Sequence, residues 1–279
     1  MAENTSNPLQ KYFRQPAIYV VLPSEGRHYP PGTLDMPTNG EIPIYPMTAM
    51  DEIISRTPDA LFNGSAVAQL FKSCVPNIKD PWAVPQIDID MLFTAIRIAS
   101  YGQDLELTVT CPKCSEVQDY TVDLRQVIDQ YTIADYETAL TLEDLVIAFR
   151  PLNYHEISKS AQVQFAQQKK LQMTSQAEGV ADEDKLKAMS EALTEVTKMT
   201  MTTMVESIAS VVVNGQPVTD RVQINDFITN IDRTMYGKIR DHLTKIRQTG
   251  EMKPLSITCK DCEHQFEQPF TLDMTNFFV

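Results

Sequence analysis

The spacing of apolar residues predicts helices through much of the chain after residue 47. The clearest helix lies in residues 88–102, DIDMLFTAIRIASYG. Its apolar face is formed by Met91, Leu92, Ala95, Ile96 and Ala99. Asp88 or Asp90 is expected to cap this helix, and Gly102 is expected to end it.

Capping patterns predict shorter helices before it. Thr48 and Asp51 form a capping arrangement at the start of AMDEIISRT, and the triplet Thr57–Pro58–Asp59 marks a second start. After the break at Asn63–Gly64, the apolar run SAVAQLFKSC predicts a further helix that ends before Val75–Pro76.

Residues 155–208 are rich in glutamine, lysine, methionine and threonine, with a polar break near Gly179. In the second half of this segment, apolar side chains recur every three or four residues, at Leu186, Met189, Leu193 and Val196 and then Thr200. The pattern predicts two long antiparallel helices, inserted in the fold and packed against each other.

Alternating residues predict strands around these helices. One predicted strand, LELTVT, leads into Cys111, and another, YTVDL, leads out of the turn that follows. The segment TLEDLVIAFRPL is interpreted as one strand ending at Pro151. Asn214–Gly215 predicts a β-hairpin. The segment NDFITNIDRTMYGKIRDHLTKIRQTG predicts one or two helices ending at Gly250.

The first 46 residues contain eight of the 17 prolines. Proline lacks an N–H donor and disfavours helix in the residue before it, so this segment is predicted to be an extended arm lying on another surface. The short apolar pieces AIYVVL and EIPIY are candidates for edge strands.

Composition and charge narrow the class of protein. The chain of 279 residues is 43% hydrophobic and 22% charged, and no apolar run approaches the roughly 18 residues of a membrane span. The first residues do not have the pattern of a secretory signal, so a reducing cytoplasm is expected and the five cysteines are not expected to form disulfides. The net charge of −13 and the scattered basic clusters argue against nucleic acid and anionic lipid as partners.

One short motif occurs twice. TCPKCSEVQDYTVDL begins at Thr110 and TCKDCEHQFEQPFTLDM begins at Thr258; each is preceded by β-prone residues, opens with T-C-x2-C and closes with a similar pentapeptide. Each copy is therefore predicted to be a β-hairpin with a cysteine turn, and two such turns supply four thiolates in the tetrahedral arrangement that zinc prefers. The hypothesis is a structural zinc site at Cys111, Cys114, Cys259 and Cys262, which would clamp two distant parts of the chain together.

Alternatives to this site stay open. The motifs could be reduced surface turns, or one could be redox-active, although strand-like residues on both sides do not fit the strand-to-helix setting of a redox motif. His264 could replace one thiolate, whereas Cys74 lies in an apolar helical pattern and is interpreted as a buried hydrophobe. His28, His155 and His242 are interpreted as surface or capping residues.

Together these elements predict an α+β fold, mainly helical, with a zinc-ribbon-like pair of knuckles built from two distant C-x2-C hairpins and with a long inserted helical hairpin. The expected divisions are an extended arm (1–47), a helical core with the first knuckle (48–154), the inserted helical hairpin (155–209), a β-hairpin and helices (210–250), and the second knuckle with an apolar tail (251–279). The tail TNFFV is expected either to fold back beside the second knuckle or to insert into a partner.

Catalysis has little support in the sequence. Four thiolates leave no open zinc position for water, and motifs for a serine nucleophile, a zinc protease or a phosphate-binding glycine loop are missing. Asp80, Asp88 and Asp90 are interpreted as helix caps instead of paired acid and base. An enzyme is therefore the weaker hypothesis.

Several blocks in residues 22–130 resemble the baseplate hub assembly proteins of T-even-like contractile-tailed bacteriophages, in particular YPMTAMDE, RTPDALFNG, CVPNIKD and IRIASYG. The resemblance implies a non-enzymatic late protein of the virus tail that helps to build the baseplate hub, as a chaperone or as a hub subunit. It implies other tail or hub proteins as partners, and a location in the host cytoplasm during assembly or in the virion baseplate. Two other classes stay in play: a zinc-ribbon adaptor that binds nucleic acid, and a metal-dependent enzyme.

Overall fold

The computed structural model describes residues 7–57, 62–176, 182–250 and 252–269. Within these ranges the chain forms eight α-helices and ten β-strands in four antiparallel sheets. The predicted helix start at Pro58, the break near Gly179 and the apolar tail from Thr275 lie outside the described residues.

The helices are α1 (Ala49–Ser55), α2 (Ser65–Cys74), α3 (Gln86–Tyr101), α4 (Leu124–Asp129), α5 (Tyr154–Gln176), α6 (Asp182–Glu206), α7 (Arg221–Asn230) and α8 (Arg233–Thr249). The strands are β1 (Ile18–Val21), β2 (Glu41–Ile44), β3 (Asp104–Thr110), β4 (Val117–Asp123), β5 (Leu140–Leu142), β6 (Leu145–Phe149), β7 (Ile208–Val213), β8 (Gln216–Val218), β9 (Leu255–Thr258) and β10 (Gln265–Gln268).

The proline-rich segment forms part of the first hydrophobic core. β1 pairs with β2, and their inward side chains Val20, Ile42 and Ile44 are buried together with residues of α2 and α3. The extended arm of the prediction therefore lies on the chain's own core. The segment is held there partly by Arg14, which donates to the carbonyl oxygens of Pro46 and Ser73 at 2.6 and 2.7 Å.

Asp88 does not cap α3, contrary to one of the two predicted caps. Pro85 occupies the N-cap position without a side-chain bond, and Asp88 is fully buried. Its two oxygens accept hydrogen bonds from the backbone N–H and the hydroxyl of Ser24, at 2.8 and 2.6 Å. Asp88 thus fastens the proline-rich segment to α3, and burial raises its pKa to about 6 although the bonds from Ser24 lower it.

The second hydrophobic core lies beneath a four-stranded sheet in the order β5-β6-β7-β8. The segment TLEDLVIAF forms two strands instead of the single predicted one, because the chain turns at Glu143, whose φ is 54°. The predicted hairpin at Asn214–Gly215 is confirmed: both residues have positive φ and join β7 to β8. Helices α7 and α8 contribute Ile224, Ile239 and other side chains to this core.

The long helices α5 and α6 are inserted between two paired strands, β6 and β7. They pack against each other as the sequence predicted, with an ion pair between Lys170 and Glu191 at 2.7 Å. At their base Arg150 donates to Glu156 at 2.6 and 3.1 Å and to Glu206 at 2.8 Å. One guanidinium therefore links the end of β6 to the first turn of α5 and to the last residue of α6.

Of the predicted row on α6, only Val196 lies on the side that packs against α5. Ala192 is buried, and Ala188, Val196 and Met199 are half-buried on the same side of the helix. The row that begins with Leu186 and continues with Met189 and Leu193 lies on an exposed side. Two adjacent faces of α6 carry apolar residues, and the spacing of three and four residues fits both of them.

Shortening α5 and α6 together is expected to leave the rest of the chain folded. The contacts of the pair with the other elements lie near its base, for example Tyr154 with Gly64 and Val205 with Arg221. Removing residues 169–192 and closing the gap with a short glycine-containing turn should change the melting temperature by only a few degrees, as measured by circular dichroism. Loss of cooperative unfolding in this variant would contradict the expectation.

The buried carboxyl of Asp88 predicts a pH dependence of stability. Its pKa in the folded chain, about 6, is above the unfolded value of about 3.9, so the folded state binds the proton more tightly. This contribution to stability is complete below about pH 4 and is lost as the pH rises to about 6, by at most about 3 kcal/mol. Denaturant titrations between pH 4 and 6 should show that Asp88→Asn loses this fall in stability with rising pH, which the unmodified chain retains.

Candidate metal centre

Both cysteine motifs lie at the ends of two-stranded antiparallel hairpins, as predicted. β3 and β4 are paired up to Thr110 and Val117, and β9 and β10 are paired up to Thr258 and Gln265. In each hairpin the last paired residue of the first strand directly precedes the first cysteine. The alternation of β-prone residues in the sequence therefore places each C-x2-C motif in the connecting turn.

The two turns have the same backbone conformation. Cys111 N–H donates to the carbonyl oxygen of Glu116, and Cys259 N–H donates to that of His264, both at 2.9 Å. In each turn the residue after the second cysteine has positive φ, 61° at Ser115 and 54° at Glu263. The duplicated sequence thus encodes a duplicated structure through β10; the whole FTLDM pentapeptide lies outside the described residues.

The turns face each other so that the four sulfur atoms form one cluster. Sγ of Cys111 is 3.7 Å from that of Cys262, and Sγ of Cys114 is 3.6 Å from that of Cys259. All four sulfurs lie within 4.8 Å of one another. The first cysteine of each motif meets the second cysteine of the other, which is the relation expected of two similar hairpins about a local twofold axis.

This geometry fits a single tetrahedral metal ion. Zn–S bonds of about 2.3 Å place the sulfurs of a tetrahedral site about 3.8 Å apart, close to the distances in the cluster. Disulfide sulfurs are about 2 Å apart, and all four cysteines are free thiols. Cys111 and Cys259 are almost completely buried, whereas Cys114 is exposed, so the cluster lies at the surface edge of the joint between the hairpins.

The electrostatics of the cluster favour a cation at its centre. Burial raises the pKa of Cys111, but hydrogen bonds, first from the backbone N–H groups of Cys114 and Lys113, lower it to about 7. At Cys114 the backbone bond from Glu116 lowers the pKa, but desolvation and the neighbouring thiols raise it to about 12. One thiolate forms readily, and further ionisation is opposed by the negative charge already present unless a metal ion compensates it.

Direct contacts also hold the second hairpin against the first. Lys260 donates from its backbone N–H to Oε1 of Gln118 and from Nζ to the carbonyl oxygen of Asp119, both at 2.9 Å. Ile257 is fully buried. These contacts could not be predicted from the sequence, because Gln118 and Lys260 are 142 positions apart and the duplicated motif does not indicate which of its polar residues meet.

The remaining cysteine and the histidines lie apart from the cluster. Cys74 is fully buried in the first core, as predicted, and burial raises its pKa to about 12. The ring of His264 stacks on Phe266, with the ring centroids 6.3 Å apart, and is not one of the clustered ligands. His28 and His155 make edge contacts with Tyr136 and Trp82.

Basic side chains are concentrated on helix α8, whereas the sequence predicted that they are scattered. Helix α8 carries five basic residues against one acidic residue: Arg233, Lys238, Arg240, Lys245 and Arg247, with Asp241. Arg240 pairs with Asp241 at 2.8 Å, and Arg247 donates to Ser207, so Arg233, Lys238 and Lys245 supply most of the exposed positive charge. This local positive charge keeps nucleic acid open as a partner in spite of the negative net charge.

Comparison with known proteins identifies the family. A family profile described as "T4 bacteriophage base plate protein" matches residues 30–279. The chain belongs to this family. No curated protein and no solved structure matches the chain significantly. The resemblance noted from residues 22–130 is thus confirmed at the level of a T4-like baseplate protein, over nearly the whole chain.

Family membership implies a structural or assembly role in the phage baseplate and contacts with other baseplate proteins. Membership of this family fits a location in the baseplate of the virion tail. A family of structural proteins also suggests a role without catalysis. Among the described residues, every helix is too short or too polar to cross a membrane.

Replacing Cys111 and Cys114 by serine is expected to abolish metal binding and to loosen the second hairpin. The metal content of protein purified without chelator should fall from one ion per chain towards zero, and limited proteolysis near Gly250 should become faster. The contacts of Lys260 would hold the hairpin only partly.

Cys74→Ala is the matched control for this variant. It removes a buried thiol outside the cluster and should lower the melting temperature without changing the metal content. An unchanged metal content after Cys111→Ser and Cys114→Ser would show that the cluster is not the metal site.

Proposed function

We propose that this baseplate protein acts without catalysis in assembly of the central hub, as a chaperone of hub assembly or as a hub subunit, and that it is stabilised by a structural Zn²⁺ ion. The ligands of the ion would be Cys111, Cys114, Cys259 and Cys262. The observation that carries the proposal is the four-thiol cluster at the joint between two distant hairpins, in a chain of the baseplate family.

The choice of zinc rests on ligand chemistry. Four thiolates in a tetrahedral arrangement are typical of structural zinc sites, and the occupied coordination sphere leaves no open position for water. A reducing cytoplasm, where the chain would first fold, keeps the thiols available for a metal. A site of this kind stabilises a fold and does not supply chemistry, which agrees with a non-enzymatic role.

The choice of the hub rests on the sequence blocks that resemble hub assembly proteins and on exposed apolar side chains that suit protein partners. Leu9 and Tyr12 in the N-terminal 3-10 helix and Phe13 directly after it are more than half exposed, and so are Met50 and Ile53 of α1. Such residues at a surface support docking on another protein. Met50 belongs to the block YPMTAMDE, which carries part of the resemblance, and Ile53 directly follows that block.

Loss of the protein during infection tests the hub assignment. A phage that lacks the gene should accumulate baseplate parts without a complete central hub, as observed by electron microscopy of infected-cell extracts. Supplying the unmodified chain from a plasmid should restore complete baseplates, whereas the Cys111→Ser and Cys114→Ser chain should restore fewer because it folds less stably. Complete hubs in the absence of the gene would contradict the proposal.

The composition of purified virions distinguishes the two forms of the proposal. A hub subunit is retained in the mature tail at a fixed number of copies per particle, and a chaperone is absent from it, as quantitative mass spectrometry would show. Titration of the purified chain with duplex DNA and with RNA provides the contrasting test. Tight binding that is lost on replacing Lys238 and Lys245 by glutamine would favour the nucleic-acid adaptor.

A further inference from the structure

The exposed face of α6 carries a continuous apolar row without charge. The exposed fractions of Leu186, Met189 and Leu193 are 68%, 52% and 56%. Together with Ser190, Thr194 and Thr197 they line a shallow groove along the helix, and the one charged residue in its lining, Lys198, lies at the C-terminal end. Single exposed leucines are ordinary in proteins, but a row at helical spacing on a chain with net charge −13 indicates an interface.

The position of this row around the helix indicates what it contacts. With about 100° per residue, the exposed row lies roughly a quarter of a turn from the row of Ala188, Ala192 and Val196 that packs against α5. A helix in a four-helix bundle has this arrangement, because it packs against two neighbours on adjacent sides. Helix α5 is one neighbour, and among the described residues the second side of α6 is exposed.

Charge selects a second copy of the same chain as the occupant. The lining of the groove contains no acidic residue, so two copies that meet through it bring no carboxylates together in the apolar contact, although the net charge of −13 on each chain weakens their association. When two copies of α6 are placed antiparallel with Met189 opposite Leu193, Glu183 of each lies beside Lys198 of the other. Both residues are exposed. A parallel placement would put each charge against its own kind.

We propose that two copies of the chain associate through the exposed face of α6, with the two helices antiparallel about a twofold axis, so that their α5–α6 hairpins form a four-helix bundle. The interface is isologous, and each contact occurs twice. The apolar row from Leu186 to Leu193 is about 11 Å long, which predicts a small interface and a dimer that dissociates in the micromolar range. The inference does not depend on the hub assignment or on the metal.

The oligomeric state of the full chain in solution tests the proposal. Sedimentation velocity from low to high micromolar concentration should show a monomer that becomes a dimer. Leu193→Glu should remove the dimer, since it places two carboxylates in the apolar contact. Met173→Glu is the control: Met173 is 64% exposed on α5 and is not part of the groove, so this variant should still form the dimer.

Charge exchange tests the antiparallel placement. Glu183→Lys alone and Lys198→Glu alone should each weaken the dimer by about threefold to tenfold, because each puts like charges together at two symmetric places. The double variant should recover the affinity of the unmodified chain, since opposite charges again face each other. Lack of recovery would contradict this arrangement.

Two other outcomes would overturn the proposal. If the unmodified chain stays monomeric throughout the concentration range, the face does not bind a second copy. If Leu193→Glu and Met173→Glu form the dimer equally well, the interface lies elsewhere. A monomeric chain that loses binding to a co-expressed baseplate protein through Leu193→Glu would assign the face to that protein instead. Circular dichroism melting of each variant establishes that the exposed substitutions leave the fold intact.

Discussion

Two cysteine turns that are 145 positions apart along the chain meet with their sulfurs less than 4 Å apart, and both hydrophobic cores lie within the loop that this contact closes or directly before it. Closing a flexible loop of that length costs roughly 4 kcal/mol in chain entropy. The two bonds from Lys260 contribute about 1 kcal/mol each, so together they offset only about half of that cost. Binding of a structural zinc ion contributes about 10 kcal/mol or more, and the proposed ion is therefore the interaction most able to hold the second hairpin in place.

The duplicated motif was predictable because its chemistry is local. The C-x2-C spacing, the β-prone flanks and the turn conformation at Ser115 and Glu263 are properties of short segments, and each segment could be interpreted without its neighbours. Capping at Thr48 and the hairpin at Asn214 were predicted for the same reason. The meeting of the two motifs was inferred only because the two copies are similar and a tetrahedral metal needs four ligands.

Predictions failed where a residue had a distant partner. Asp88 was expected to be a cap because acids are common near helix starts, but Ser24 binds it from 64 positions away. The proline-rich segment carries the two strands that its apolar pieces predicted, but the sequence did not reveal that Val20 and Ile42 would be covered by α2 and α3. The row at Leu186 has the spacing of a packed face, but spacing does not say which neighbour covers a face. In each case the missing information was a tertiary contact with residues far away in the sequence.

The base of the helical hairpin determines how the exposed face of α6 is presented. Arg150 binds carboxylates at the beginning of α5 and at the end of α6, and all three side chains are partly shielded from water, which strengthens these bonds relative to exposed ion pairs. Short connections join both helices to paired strands, α5 to β6 and α6 to β7, so the sheet as well as Arg150 restrains their directions. A hairpin whose base is anchored in this way presents the exposed row of α6 in a direction that the sheet sets. Because a preorganised surface loses little conformational entropy on binding, a small apolar row on α6 is sufficient for the weak contact that the proposed dimer requires.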